Sequence, residues 1–322
     1  SSDGKETVYI ATDGNGVHFL SHKDQQVTHR FYHDVNDKEG IRSNSIYSLL
    51  VDDRGAVWVG HFQAGLDYSL YQNGLFRTYA YPPLFNSANL SIRSFVNRGQ
   101  EKVIGSRDGL FYINEVSGVV KSFVKPVLTS DLILTISFYQ GEYYIGTYGG
   151  GMMVLDPGTL SLKYFAQGDT ELFQKGHIFC VKPDAKGNLW IGTSQGLFCY
   201  NGQTKQIKHF TSANSQLPEG NVYEVSFDST GKGWIATETG MCIYDPASQS
   251  LRSNVFPEGF VHRDKVRTIY EDAEHNLYFI REKGSLFTST LTMDRFRNRS
   301  IFSTLPDNSL MSVIEDNQGW LW

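Results

Sequence analysis

The chain has 322 residues, of which 40% are hydrophobic and 14% aromatic, so it is too apolar for a disordered protein and long enough to bury a sizeable core. Its formal net charge is −5 and its basic residues are scattered, which argues against a nucleic-acid-binding surface. No uninterrupted apolar run reaches about 18 residues, so the sequence predicts no membrane segment. The polar residues 1–5 are what a mature fragment without a signal peptide would show.

One short pattern recurs along the chain: two large β-prone residues, then in most copies a small residue and threonine or serine. We call the strands that contain this pattern the anchor strands, and we predict them near residues 8–12, 57–61, 102–106, 143–147, 189–193, 233–237 and 277–281. Successive copies are separated by 49, 45, 41, 46, 44 and 44 residues. A period of this size is typical of a four-stranded propeller blade, because helical repeats of similar length would show a period of 3.6 residues.

Three further strands are predicted in each module. An aliphatic residue marks the first strand, as at Ile178, twelve positions before the anchor residue Trp190. A turn of the form Asp-x-x-Gly follows, as from Asp184 to Gly187, in which aspartate caps the turn and glycine accepts a positive φ. After the anchor strand, a glycine-containing turn leads to a third strand, and a fourth strand rich in aromatic residues completes the blade.

A single four-stranded meander cannot bury both of its faces, whereas blades stacked around an axis bury one another. The tryptophans of the anchor strands are therefore expected to pack between blades rather than to bind a ligand. These residues are Trp58, Trp190 and Trp234.

The two ends of the chain predict how the blades close into a ring. Residues 1–32 contain the second, third and fourth strands of a blade without a first strand, and residues 310–316 resemble a first strand without a blade. Pairing them gives an all-β fold, a seven-bladed β-propeller of four-stranded antiparallel blades over residues 1–322. Residues 317–322 begin another anchor strand, so we expect the chain to be a fragment of a longer repeat array.

The combined motif, Asn-x-Ile followed by Asp-x-x-Gly-x-x-Trp-Ile-Gly-Thr-x-x-Gly-Leu, resembles the two-component regulator propeller repeat. Residues 178–197 match it best, and residues 44–66 match it with His61 in place of threonine. The resemblance implies the periplasmic sensor region of a Bacteroidetes hybrid two-component protein that responds to glycan-derived oligosaccharides. It also implies downstream domains of the same chain as partners, a histidine kinase outside these residues, and a homodimer in the intact protein.

Motifs of catalysis are missing from the sequence: there is no Gly-x-Ser-x-Gly, no His-Glu-x-x-His and no phosphate-binding loop. The nine histidines share no metal-ligand spacing, and Cys180, Cys199 and Cys242 fall in predicted strands as buried thiols. We therefore expect no catalytic residue, no metal and no cofactor in this region. Two alternatives stay open, a propeller enzyme (a lyase or a glycan-cleaving enzyme) and a non-catalytic protein-interaction platform.

Propellers bind ligands where the loops that enter the first strands meet the turns that follow the anchor strands. The residue directly after the first-strand aliphatic varies from aromatic to cationic between modules, and we predict that four such residues line a ligand site: Tyr47, Arg93, Tyr223 and Arg267. The turns after the anchor strands add His61, Phe62, Arg107, Tyr148, Glu238 and Arg281. Tyrosine would stack on a sugar face and arginine would bind a carboxylate or sulfate.

Each of these assignments has a simpler alternative. The four side chains that follow the first-strand aliphatics would only fill the central channel of the propeller, and the turn residues would be ordinary solvated positions. Glu224 and Glu238 are the acidic residues that would pair with the arginines inside the protein and leave them unavailable to an acidic ligand.

Overall fold

The computed structural model describes residues 7–21, 27–34, 40–51, 57–70, 75–78, 91–165, 170–253, 265–281, 286–290 and 297–299. The chain divides into two compact units. Unit 1 consists of Ser1–Arg93 and Arg267–Trp322, and unit 2 consists of Ser94–Val266.

The described residues form 27 strands in seven sheets, and in each sheet strands adjacent in sequence pair with one another. The first two sheets are β1 (Thr7–Ala11), β2 (Val17–Ser21) and β3 (Val27–Phe31), then β4 (Ile46–Val51), β5 (Val57–His61), β6 (Leu66–Leu70) and β7 (Leu75–Thr78). The third and fourth are β8 (Ile92–Arg98), β9 (Glu101–Ser106), β10 (Gly109–Asn114) and β11 (Val119–Phe123), then β12 (Ile133–Tyr139), β13 (Glu142–Thr147), β14 (Met152–Asp156) and β15 (Ser161–Tyr164). The fifth and sixth are β16 (Ile178–Pro183), β17 (Asn188–Thr193), β18 (Gly196–Asn201) and β19 (Ile207–Phe210), then β20 (Val222–Phe227), β21 (Gly233–Thr237), β22 (Met241–Asp245) and β23 (Ser250–Arg252). The last is β24 (Val266–Glu271), β25 (Asn276–Arg281), β26 (Leu286–Thr290) and β27 (Arg297–Arg299).

The helix α1 (Thr170–Lys175) precedes β16. Within the part of the chain that the structure describes, no helix is long and apolar enough to cross a membrane.

The prediction of an all-β propeller with antiparallel blades is confirmed. The number of complete blades differs from the prediction, because the described residues form six four-stranded sheets rather than seven. The remaining sheet, β1 to β3, has three strands and lacks a first strand. Residues 310–316, which were predicted to supply that strand, lie outside the described residues.

The small third residue of the anchor strands is explained by how closely neighbouring blades approach. In unit 2, a Cβ atom on Gly105 would lie 2.4 Å from a methyl carbon of Ile133, and one on Gly146 would lie 2.7 Å from a methyl carbon of Ile178. Both isoleucines are the first-strand aliphatics of the following blade. Glycine is therefore used where that strand passes, since any side chain would clash with it.

The aspartate turn and the aromatic anchor are joined by a hydrogen bond that recurs between modules. The indole Nε1–H of Trp190 donates to Oδ2 of Asp184 at 2.9 Å, and Trp234 donates to Asp228 at the same distance. Trp190 is 1% exposed, and its ring lies 4.5 Å from the ring of Tyr244 in the next blade. Trp190 thus packs between blades, as predicted, and the indole groups of Trp190 and Trp234 also fix the turns that precede them.

Candidate ligand site

The variable residue after the first-strand aliphatic is a β-bulge in four modules. The register between the first strand and the anchor strand skips one residue at Tyr47, Leu134, Phe179 and Tyr223. A bulged residue leaves the ladder unpaired and its side chain is redirected, and bulges are common beside binding sites. Because strand pairing does not constrain this position, its side chain can change between modules without loss of the blade.

In four modules, the turn after the anchor strand is held against the loop that enters the first strand of the same module. A backbone N–H of the turn donates to a carbonyl oxygen of that loop, from Phe62 to Ser45 at 2.9 Å, from Tyr148 to Leu132 at 2.9 Å, from Ser194 to His177 at 3.2 Å and from Glu238 to Asn221 at 2.9 Å. The bulged residues and the turn residues are therefore brought to the same end of each of these blades.

In unit 2 this end carries four adjacent aromatic side chains from three consecutive blades, which we call the aromatic row: Tyr148, His177, Phe179 and Tyr223. The ring centroids of Tyr148 and His177 are 4.0 Å apart and stacked, those of His177 and Phe179 are 6.2 Å apart, and those of Phe179 and Tyr223 are 4.9 Å apart. Tyr148 is 50% exposed, so solvent reaches the row at that end. The row offers a run of flat apolar faces.

Polar groups accompany the row at both ends. The Nδ1 atom of His177 is buried and has no hydrogen-bond partner among the described residues. At the other end, the hydroxyl of Tyr223 accepts a hydrogen bond from Nδ2 of Asn221 at 3.0 Å. The Nζ atom of Lys265 lies 4.2 Å from the centroid of the Tyr223 ring, within the range of a cation–π interaction.

A smaller cluster of predicted residues occurs in unit 1. The rings of Tyr47 and Phe62 are stacked with centroids 5.0 Å apart, and Cζ of Arg93 lies 5.6 Å from the centroid of Tyr47. His61 is completely buried, and its Nε2 atom is 2.8 Å from Oδ2 of Asp67. His61 is therefore part of the interior of its turn, in contrast to Tyr47, Phe62 and Arg93, which are partly buried.

The remaining predicted residues are placed separately. Arg107 and Glu238 are exposed, Arg267 is partly buried, and the side chain of Arg281 lies outside the described residues. The structure brings Tyr148 and Tyr223 into one row and Tyr47, Phe62 and Arg93 into one cluster. Ligand binding by all of these residues stays a prediction.

Glu224 has a lysine as its ion-pair partner rather than one of the predicted arginines. Its Oε1 atom is 3.5 Å from Nζ of Lys182 on the neighbouring blade. Burial raises the pKa of Glu224, while Lys182 acts in the opposite direction, and Glu224 in turn raises the pKa of Lys182. The pair therefore links β16 and β20, while burial disfavours the charged form of Glu224.

The described residues offer no obvious catalytic or metal-binding group. No three of their His, Cys, Asp or Glu side chains are arranged to hold a metal ion. All three cysteines are free thiols, and burial raises the pKa of Cys242 to about 12 and that of Cys199 to about 12. A thiol with so high a pKa is a poor nucleophile near neutral pH.

Comparison with known proteins agrees with this architecture. The family model of the two-component regulator propeller matches residues 40–63 and 173–195. This chain carries two-component regulator propeller repeats. The two matched repeats include the anchor strands β5 and β17, and the first ends directly after Phe62 while the second contains His177 and Phe179 of the aromatic row. No curated protein matches the chain.

Solved structures with a similar fold include the extracellular domain of BT3049, described as a hybrid two-component system of B. thetaiotaomicron, with a TM-score of 0.70 and 23% identity. That match covers 87% of this chain but only 37% of the other one, so this chain spans a little over a third of the length of that protein. The computationally designed protein Ika8 matches with a TM-score of 0.62 and 12% identity over 91% of this chain and 83% of its own. YCF48, solved with a D1 peptide, matches with a TM-score of 0.62 and 11% identity over 84% and 85%. At these identities the similarity establishes the fold alone.

Two residues at the row, His177 and Lys265, were missed in the sequence, and Phe179 was not among the predicted site residues. His177 and Lys265 occupy the position directly before the first-strand aliphatic of their modules. Counterparts at that position are Ser45, Ser91, Leu132 and Asn221. This position varies as widely between repeats as the bulged position does, and that variation could have indicated His177 and Lys265 as candidate site residues.

Proposed function

We propose that this chain is the ligand-sensing propeller of a hybrid two-component protein and that it responds to glycan-derived oligosaccharides in the periplasm. The regulator propeller repeats and the fold shared with an extracellular sensor domain support this assignment. The sensor histidine kinase and the response regulator would lie outside these 322 residues and receive the signal through downstream domains of the same chain.

The observation that carries the proposal is the aromatic row of unit 2. Sugars present flat faces of C–H groups that pack on aromatic rings, and their hydroxyl groups need hydrogen-bond partners at the edge of the site. The row supplies four adjacent rings and has Asn221, Glu238 and Lys265 beside the ring of Tyr223 or linked to it. The neighbouring Tyr148 ring remains accessible to solvent.

We also propose that the region binds without catalysis. The aromatic row, together with Asn221, Glu238 and Lys265, contains one carboxylate rather than the pair that glycoside hydrolysis needs. Its functional groups stack and form hydrogen bonds, which favours recognition over cleavage.

In the intact protein, the propeller would close as seven blades, with residues 310–316 beside β1, and would act within a homodimer.

A thermal-shift screen of the 322-residue chain against an oligosaccharide library tests the proposal. A ligand at 100 times its Kd should add about 2.7 kcal/mol of stability, which is readily detected. Tyr148→Ala should then weaken binding by up to about tenfold, because one stacking face is lost. Tyr164→Ala is the matched control, since Tyr164 is also 50% exposed but lies on the outer strand β15.

Two results would contradict the proposal. A library without any stabilising oligosaccharide would remove glycan sensing by this propeller. A ligand whose affinity is unchanged in Tyr148→Ala and also in Phe179→Leu would place the site elsewhere, because Phe179→Leu keeps an apolar side chain while removing the central ring.

A further inference from the structure

The Tyr223 end of the aromatic row combines groups of opposite charge. Lys265 lies over one face of the Tyr223 ring, with Nζ 4.2 Å from its centroid. Asn221 donates to the Tyr223 hydroxyl through its side chain. Its backbone N–H lies 3.5 Å from Oε2 of the exposed Glu238, and the Glu238 backbone N–H donates to the carbonyl oxygen of Asn221.

These contacts make one connected group around a single ring. It contains an ammonium donor, a carboxylate acceptor and an amide that both donates and accepts. The two formal charges cancel, so the group presents no net charge to a ligand. An anionic ligand would meet the carboxylate of Glu238 and a cationic one would meet the ammonium of Lys265, and both would lose part of any electrostatic gain.

Sugar hydroxyl groups suit this arrangement because each can donate and accept. Neighbouring hydroxyls can donate to a carboxylate while accepting from an ammonium or an amide, and hydrogen bonds to charged groups are stronger than those between neutral groups. An uncharged ring of this kind would also stack on the face of an aromatic residue.

We propose that the Tyr223 end of the aromatic row is a subsite for a neutral sugar ring, whose hydroxyl groups bind Glu238 and Lys265. This inference rests on the proposed function and specifies the ligand class of that site. It differs from the expectation for Arg93 and Arg267 in unit 1, where cationic side chains would favour an acidic group.

Titration calorimetry with matched sugars tests the subsite. The probes are trisaccharides of glucose, mannose and galactose, each beside the trisaccharide of the corresponding uronate with the same linkage. We expect at least one neutral trisaccharide to bind, with an affinity that changes less than about twofold between low and high salt, since screening acts on net charge. Glu238→Gln and Lys265→Met should each weaken that binding by about tenfold, the usual effect of losing a hydrogen bond to a charged group.

Matched controls separate the subsite from a general loss of charge. Lys205→Met removes another lysine that lies over a tyrosine ring, with Nζ 5.9 Å from the centroid of Tyr200, outside the aromatic row. Glu274→Gln removes an exposed carboxylate in the turn between β24 and β25. Neither control should change the affinity for the neutral trisaccharide.

The outcomes distinguish the subsite from the proposed function. If a uronate trisaccharide binds and loses affinity in Lys265→Met and at high salt, the neutral subsite is wrong while glycan sensing stands. If a neutral trisaccharide binds equally well in both charge variants, the subsite is again wrong. If no trisaccharide of either kind binds, the neutral subsite is wrong, and the outcome of the library screen alone decides glycan sensing.

Discussion

Replacing Trp190 with phenylalanine removes the indole N–H from the aspartate turn while leaving most of the aromatic packing in place. That N–H donates to Oδ2 of Asp184, which also accepts from Nδ2 of Asn188 at 2.8 Å. The other oxygen, Oδ1, accepts from the backbone N–H of Lys186 at 2.9 Å and of Asn188 at 2.8 Å. Asp184 is thus the centre of four hydrogen bonds that fix the turn before the anchor strand.

The size of the effect follows from these contacts. A hydrogen bond to a charged group contributes about 1.5–3 kcal/mol, so Trp190→Phe should lower the free energy of unfolding by that amount. Asp184→Asn should cost a similar amount, because an amide nitrogen would face donors where an oxygen now accepts. The double variant loses the Trp190–Asp184 bond only once, so its cost should be about 1–2 kcal/mol less than the sum. Trp190→Ala, which empties the pocket between blades, should cost ~3–5 kcal/mol.

Urea unfolding followed by far-ultraviolet circular dichroism measures all four variants, since this signal does not depend on the tryptophan itself. The matched control combines Trp190→Phe with Asp228→Asn, because Asp228 binds Trp234 of the next module. That pair should be additive to within about 0.5 kcal/mol. Additivity of Trp190→Phe with Asp184→Asn would refute the claim that the turn and the anchor act as a unit.

Four further predictions follow from the same structure. Gly146→Val should lower the free energy of unfolding by about 1–3 kcal/mol in urea, because its Cβ would clash with the next blade, and an unchanged midpoint would contradict this. Deleting residues 309–322 should lower the melting temperature if that segment pairs beside β1, and an equal melting temperature would rule out the closure. Burial raises the pKa of Tyr143, so above about pH 10 the unfolded chain ionises this tyrosine while the folded chain does not, and the free energy of unfolding falls as the pH rises. Thermal melts from about pH 8 to 11 should therefore show a smaller loss of stability in Tyr143→Phe than in the parent. Arg93→Ala and Arg267→Ala should each reduce the affinity for an acidic oligosaccharide by ~2–4 kcal/mol at unchanged stability, and calorimetry that finds full affinity in both would remove them from the site.

The blade architecture was predictable because every module repeats the same physical requirements. The glycine of the aspartate turn illustrates this: Gly187 has a φ of +77°, in the region that glycine occupies readily, and its N–H donates to the carbonyl oxygen of Asp184. The predicted anchor positions likewise coincide with strands such as β13 and β17. The number of complete blades could not be predicted from the repeat period. The first strand predicted at residues 310–316 is separated from β1 by almost the whole chain, and a period does not show whether two such distant segments pair.

For the candidate site, the sequence predicted the position of some residues within the repeat but not their contacts. Variation after the first-strand aliphatic indicated Tyr223 and Tyr47, but a sequence does not show that the first strand bulges there. It also could not show that the ring of Tyr148 from one blade stacks on His177 from the next. Contacts between blades depend on loop geometry, which differs between modules and carries no period.

The β5 module shows how a departure from the motif at the end of the anchor strand is accommodated. In four other modules a threonine ends the anchor strand, and its hydroxyl donates to a carbonyl oxygen of the following turn, as from Thr193 to Gly196 at 2.9 Å. In the β5 module His61 stands there instead, and the residue after the turn is Asp67, where the β18 module has the apolar Phe198. Each alone would be a buried polar group at high cost, but the 2.8 Å contact between Nε2 of His61 and Oδ2 of Asp67 gives each a partner, and the backbone N–H of Arg42 donates to the same oxygen. The imidazole that replaces a hydroxyl is therefore paired with a carboxylate six residues away, whereas a bulged residue such as Tyr47 is not constrained by strand pairing. Positions that tolerate single changes are the ones at which a repeat protein can acquire a new ligand. In this chain they include the bulged residues Phe179 and Tyr223 of the aromatic row.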